Sequence, residues 1–298
     1  MKLSASEIEE FSEKVWKYYS QNGRHDLPWR QPERGDEFDP YKILVSEIML
    51  QQTQVQRVLV KYPRFLELFP DIQTLAAAEL GEVLKAWQGL GYNRRAKYLW
   101  LASKDIIKLG TFPNTLNSLV ALPGVGKNTA GAILAYAFNI PAMFIETNIR
   151  TVYIYHFTRD DQIVSDDFIW DLLGQTLDYI AAESKERPEQ ESPSLRGLGE
   201  VTSGLLHPRE FYWALMDYGT YLKTQAKNNS QSKHYKKQSK FEGSRRQLRG
   251  RVLRELASSV AGHMELKNSI EDERLEEVLA DLEKEGLIQK SENNYRLA

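Results

Sequence analysis

The chain has 298 residues, 42% of them hydrophobic and 27% charged, with a formal net charge of −2, which is length enough for one large domain or two ordinary ones. There is no cysteine and the five histidines are scattered, which excludes disulfides, thiolate metal sites, a Cys-ligated iron–sulfur cluster and a spaced zinc site. No run of about 18 apolar residues and no signal-peptide core occurs, so the expectation is a soluble, intracellular, cytoplasmic protein without a membrane partner.

The chain opens on an amphipathic helical stretch, MKLSASEIEEFSEKVWKYY. The first 220 residues then read as mostly helical, with periodic apolar segments broken by Pro and Gly. Asp39-Pro40 is a helix start, Asp as N-cap and Pro at the first helical position. One helix is expected to run from there through YKILVSEIMLQQTQVQRVL, with Tyr41, Leu44, Val45, Ile48 and Val55 in its apolar stripe. Further helices are expected over 75–87, 93–108, 115–121, 127–138, 147–157, 166–183 and 208–224. Residues 184–206 are polar and rich in Pro, Gly and Ser and read as a surface loop. Residues 225–243 are polar, basic and nearly free of aliphatics, and read as a linker or a tether that folds on DNA. Two amphipathic helices, RRQLRGRVLRELASSV and ERLEEVLADLEKEGLI, then precede a hairpin around SENN. That is the order of a winged helix, or of a generic small α+β cap.

Three constellations carry chemistry. The hairpin Leu122-Pro123-Gly124-Val125-Gly126-Lys127, followed by Asn128 and Thr129, lies between two helical segments. Its glycines permit tight turns, and the second helix begins with free N–H groups at its positive dipole end, a cradle for phosphate. Glu47 stands beside Ile48 in a core-facing stretch; the pattern admits either a carboxyl in a cleft or a half-buried glutamate capping a neighbour. A desolvated glutamate there has a raised pKa and can deliver a proton near neutral pH. Glu146 precedes Thr147 and Asn148 at a helix start, where N–H groups would hold it ionised or where it simply caps the helix. The segment from Lys223 to Arg254 holds eleven Lys/Arg and one acid, Glu242, an electrostatic footprint for phosphate or a solvated basic linker.

LPWR at 27–30, SEIMLQQTQV at 46–55, GLGYNRRA at 89–96, LPGVGKNTAGAIL at 122–134 and ALMDYG at 214–219 occur in the order and spacing of MutY-like adenine DNA glycosylases, a family of the helix-hairpin-helix superfamily that includes endonuclease III. The resemblance spans roughly residues 10–222. It implies a mostly α, two-lobed core over 1–224, to which the residue pattern adds a basic linker over 225–243 and a winged-helix-like α+β domain over 244–298. It also implies base excision repair on double-stranded DNA as a monomer: a mispaired adenine, opposite 8-oxoguanine or guanine, is flipped out and its N-glycosidic bond hydrolysed.

By that resemblance Glu47, Glu146 and Asn148 are catalytic, with Glu47 protonating the departing base and Glu146 facing the oxocarbenium-like charge from the other lobe. Trp29, Arg30 and Trp213 line the base pocket. Gln51, Gln52, Tyr92 and Arg94 join Leu122, Gly124, Val125, Gly126, Lys127, Asn128 and Thr129 on the DNA, Tyr92 resembling a tyrosine that wedges near the partner base. Asn128 stands where lyase-active relatives carry a Schiff-base lysine, and an amide cannot attack the sugar, so a monofunctional enzyme is implied. No cofactor is implied beyond a monovalent cation at the 122–126 hairpin.

Four features leave the family pattern. Glu146 stands in place of an aspartate, and Trp213 in place of a base-contacting Gln or Glu. The four-cysteine cluster loop is absent, and the family's terminal domain that reads 8-oxoguanine is not recognisable. The alternatives these leave open are a glycosylase for uracil or thymine in mismatches or for a damaged purine, and a non-catalytic damage-binding protein.

Overall fold

A computed structural model describes residues 1–159, 162–186, 207–226, 228–235 and 240–298. The described chain is mostly helical. In order it runs α1 (Ala5–Asn22), a 3-10 turn at Pro28–Arg30, α2 (Pro40–Leu50), α3 (Val55–Leu68), α4 (Ile72–Ala77), α5 (Leu80–Ala86) and α6 (Arg94–Leu109). There follow α7 (Leu116–Val120), α8 (Lys127–Phe138), α9 (Thr147–Phe157), α10 (Asp166–Glu186), α11 (Pro208–Gln225) and α12 (Arg245–Ser258). The end of the chain is β1 (Ala261–Gly262), α13 (His263–Ser269), α14 (Leu275–Lys284), β2 (Ile288–Ser291) and β3 (Asn294–Leu297). No described helix is long and apolar enough to cross a membrane.

The chain divides into two compact units. The first comprises Met1–Asp39, Asn114–Leu116 and Gly126–Lys237; the second comprises Pro40–Pro113, Asn117–Val125 and Gln238–Ala298.

In the first unit α11 is the central helix, packed on α1, α8 and α9. Its core includes Phe11, Trp16, Phe144, Tyr153, Phe211 and Tyr212. Gly219 lets α11 approach α9: a Cβ there would lie 2.3 Å from the Asn148 carbonyl oxygen. α1 starts on a capping box, the Ser4 hydroxyl accepting from the Glu7 N–H while the Glu7 carboxylate accepts from the Ser4 N–H.

The second unit holds α2 to α6 around Leu44, Ile48, Phe65, Leu84 and Trp87, all fully buried. Two expectations change here. The single helix over 40–59 is interrupted at Gln51–Gln54, where Gln52 takes φ +52°. The helix over 75–87 breaks at Ala78, whose N–H bonds back to Thr74 and Leu75. Apolar periodicity runs through both breaks, because it reports which residues face the core and not whether the backbone bonds continue.

The C-terminal segment adds α13 and β1 to the expected helices and hairpin. The three strands form one antiparallel sheet in the order β1-β3-β2, Ala261 opposite Tyr295 and Ile288 opposite Leu297. A two-residue strand such as β1 carries too little period-2 signal to read from sequence. The 184–206 loop lies mostly outside the described residues, as does part of the 225–243 linker.

Candidate functional site

In the second unit, α2 places Glu47 half-buried between the fully buried Ser46 and Ile48. The end of α2 is held by Arg95, whose Nη1 donates to the Ile48 and Met49 carbonyls at 2.8 and 2.9 Å. Its Nη2 donates to Thr53 Oγ1 at 3.0 Å and to the Leu90 and Gly91 carbonyls at 3.1 and 2.9 Å. A cation on the carbonyl end of a helix is favoured by the dipole. Burial lowers the Arg95 pKa to about 10, so the group stays charged at neutral pH. The structure spends Arg95 inside the protein and ties Lys97 Nζ to the Glu285 carbonyl at 2.6 Å.

Arg95 joins two turns, 51–54 and 89–92. The second carries positive φ at Gly89, Gly91 and Tyr92, and a third turn lies close by, the Gln51 amide reaching the Gly124 carbonyl at 3.5 Å. That third turn is Leu122–Val125, with Pro second and Gly third, Gly124 at φ +77° and the Val125 N–H bonding the Leu122 carbonyl at 3.2 Å, the chemistry of a type II turn. A Cβ on Gly124 would lie 2.7 Å from Tyr98 Cβ. Leu122 and Val125 are buried, so their side chains anchor the hairpin. Gln52, Arg94, Gly124, Gly126 and Lys127 are exposed.

In the first unit, Gly126 is the extended N-cap of α8 and supplies no side-chain cap, leaving the first-turn amides of Lys127, Asn128 and Thr129 outside the i→i−4 ladder. Asn128 turns inward and exchanges two hydrogen bonds with the backbone of Ile145. The next residue, Glu146, is the N-cap of α9, and its carboxylate makes no capping hydrogen bond. Sequence reasoning expected helix amides to hold it ionised. Burial instead raises its pKa, with Arg150, Lys223 and the Thr147 amide opposing that shift. Asn148 keeps a buried Oδ1 without a hydrogen-bond partner, and its Nδ2 has only Met216 Sδ at 3.8 Å. An orphaned buried acceptor costs about 1–3 kcal/mol and marks a place where a ligand proton fits.

The base-pocket candidates of this unit are buried: Trp29, Arg30 and Trp213 are each 6% exposed. Arg30 lies over the Trp213 ring at 5.3 Å, and Trp213 also stacks on Tyr136 and meets Phe38 edge-on. Arg30 forms a bidentate pair with Asp217, Nη1 to Oδ2 at 2.8 Å and Nη2 to Oδ1 at 2.9 Å, and Arg24 joins the same carboxylate. Burial pushes the Asp217 pKa up, but the two guanidiniums outweigh it and hold the carboxyl below its ordinary value. One helical turn before Trp213, Glu210 is buried with Oε2 unpartnered, and burial raises its pKa to about 7 against the opposing charge of Arg209.

Residues 45–168 match the family model for the HhH-GPD superfamily base excision DNA repair protein. This segment is similar to that superfamily's domain. It contains Glu47, the 122–127 hairpin, Glu146 and Asn148. The chain is 37% identical over 172 residues to an adenine DNA glycosylase of Buchnera aphidicola, covering 57% of this chain and 47% of that protein. It is 40% identical over 134 residues to an adenine DNA glycosylase of Mycobacterium tuberculosis, covering 44% and 43%, and 37% identical over 153 residues to one of Mus musculus, covering 49% and 30%. The chain thus spans less than half the length of these relatives. A solved thermostable thymine-DNA glycosylase shares the fold, with a TM-score of 0.52 at 22% identity over 72% of this chain and 86% of that one.

Sequence reasoning missed Asp217, Glu210 and the roles of Arg95 and Asn128 in and around the matched segment. Asp217 was within reach, a lone acid in the apolar ALMDYG run with an unpaired arginine in LPWR. The basic cluster also changes: Arg245 pairs with Glu277 and Asp281, Arg249 with Asp281 and Glu285, and Arg251 donates to the Ser269 carbonyl. These charges are partly spent inside the protein.

Proposed function

We propose that this chain is a monofunctional DNA glycosylase of base excision repair that flips out adenine mispaired with 8-oxoguanine or guanine and hydrolyses its N-glycosidic bond. The observation that carries the reading is Glu47, half-buried on α2 within the HhH-GPD segment, together with relatives named adenine DNA glycosylase.

In this reading the Glu47 carboxyl gives its proton to N7 of adenine. The C1′–N9 bond breaks with its electron pair on the base, and an oxocarbenium-like sugar is left. The Glu146 carboxylate opposes that charge; Arg150 and Lys223 draw it back toward ionisation. Water adds at C1′ and its proton passes to the Glu47 carboxylate, leaving an abasic site. Asn148 offers its unpartnered Oδ1 to a donor of the substrate. The exposed turn at Gly124 and the first turn of α8 grip phosphate through backbone N–H groups, with Gln51, Gln52 and Tyr92 at the base stack and Trp29, Arg30 and Trp213 around the flipped base. The partner is double-stranded DNA bound by a monomer.

Trp213 favours a second reading. Its stacked, buried indole offers no amide or carboxylate to an adenine edge, which suits a different mispaired or damaged base. Base release from a panel of duplexes, wild type against Glu47→Gln, decides. Release of adenine by wild type alone supports the first reading, and release of another base supports the second. Binding without release from any duplex leaves a non-catalytic damage-binding protein.

A further inference from the structure

The C-terminal segment, residues 240–298, packs on the HhH-GPD part of its own unit. The Gln88 amide donates to the Leu253 carbonyl at 3.3 Å, Lys97 Nζ to the Glu285 carbonyl at 2.6 Å, and Gly81 comes so close to β3 that a Cβ would lie 3.2 Å from the Ala298 carbonyl oxygen. The order helix, strand, helix, helix, strand, strand invites a winged-helix grip on DNA through α14. The charges oppose it. α14 carries Glu276, Glu277, Asp281 and Glu283 against Lys284, the wrong sign for a phosphate backbone. Its Asp281 pairs with both Arg245 and Arg249 of α12.

What the segment does deliver is Arg246. Its Nη1 donates to the Tyr92 hydroxyl, and its guanidinium lies over the Tyr92 ring at 5.2 Å and the Phe241 ring at 5.7 Å. Arg95 approaches the same ring at 5.6 Å. Tyr92 sits on the left-handed turn beside the 51–54 turn, so a residue of α12 shares the tip of that loop cluster.

We propose that Arg246 is a specificity-determining residue that reads the base opposite the excised one. This rests on the DNA-glycosylase reading above and on Tyr92 lying at the base stack. A guanidinium presents paired donors that match the carbonyl and ring-nitrogen acceptors of a guanine-type edge. The C-terminal segment is then a reading arm that brings one arginine to the partner base.

The test is binding of the full-length protein to duplexes with a tetrahydrofuran abasic analogue opposite guanine, 8-oxoguanine or cytosine, in parallel with single-turnover excision opposite the same three bases. Wild type should prefer the guanine-type partners. Arg246→Ala should weaken that preference about tenfold, the size of one lost bidentate base contact. Arg246→Lys, which keeps the charge and loses the fork, should lose most of it too. Arg254→Ala, an exposed α12 charge, should weaken all three duplexes alike. Tyr92→Phe, which removes only the hydroxyl that positions the guanidinium, should give a smaller loss of preference. An unchanged ratio in folded Arg246→Ala, or an equal loss in Arg254→Ala, overturns the inference. Absence of excision by wild type would instead sink the catalytic reading, and the binding ratios would still judge Arg246.

Discussion

Asn128 and Ile145 exchange two hydrogen bonds, Asn128 Nδ2 donating to the Ile145 carbonyl at 2.9 Å and the Ile145 N–H donating to Asn128 Oδ1 at 3.3 Å. The first turn of α8 thereby fixes the segment that enters Glu146. Asn128→Ala orphans both backbone groups and should cost about 1–3 kcal/mol in denaturant unfolding. Because both polar atoms of the amide are engaged and neither is a nucleophile, borohydride should trap no covalent complex between the wild type and DNA.

Asp217 neutralises the buried Arg30 and the flanking Arg24. Asp217→Asn leaves a buried guanidinium uncompensated and should destabilise by about 3–5 kcal/mol, read as a fall in the unfolding midpoint. The acid dependence follows the same pair. The Asp217 pKa is depressed in the folded state, so its stabilisation is present above the unfolded carboxyl pKa and lost as pH falls through the folded one.

Glu210 has the opposite sign. Its pKa is raised from 4.5 to about 7, so the folded protein holds a proton that the unfolded chain has released. Its contribution is full below about pH 4.5 and lost as pH rises to about 7, in all about 3 kcal/mol by linkage. Glu210→Gln should flatten that stretch of the stability profile, and an unaltered profile would refute the assignment.

Arg95 serves five acceptors in three segments. Lysine has three donors on a point charge and cannot span them. Arg95→Lys should lower stability by a few kcal/mol. It should also lower the excision rate more than it weakens DNA binding, since it releases the α2 end that carries Glu47.

Gly124→Ala meets both a left-handed φ, costing about 1–2 kcal/mol, and the Tyr98 side chain. DNA binding should weaken with no change in the slope of log K against log salt, because a backbone contact carries no charge. Lys127→Ala should reduce that slope by about one.

The sequence by itself determined most of the helices, the 122–127 hairpin and the helical setting of Glu47. Apolar period, Pro-Gly punctuation and motif register are local properties, and α8 and α9 start and end at the residues expected. Local pattern did not reveal the breaks after Leu50 and Ala77, because the stripe of buried residues continues across them. Only tertiary structure decided where the charges go. Arg30 finds Asp217 187 positions away, and Arg246 finds Tyr92 154 positions away. Whether a basic residue meets DNA, a carboxylate or a carbonyl depends on which segments the fold brings within hydrogen-bond range. Spacing along the chain cannot carry that information, so the arginines in the described part of the basic stretch read as a phosphate grip and are partly spent holding the protein's own parts in place.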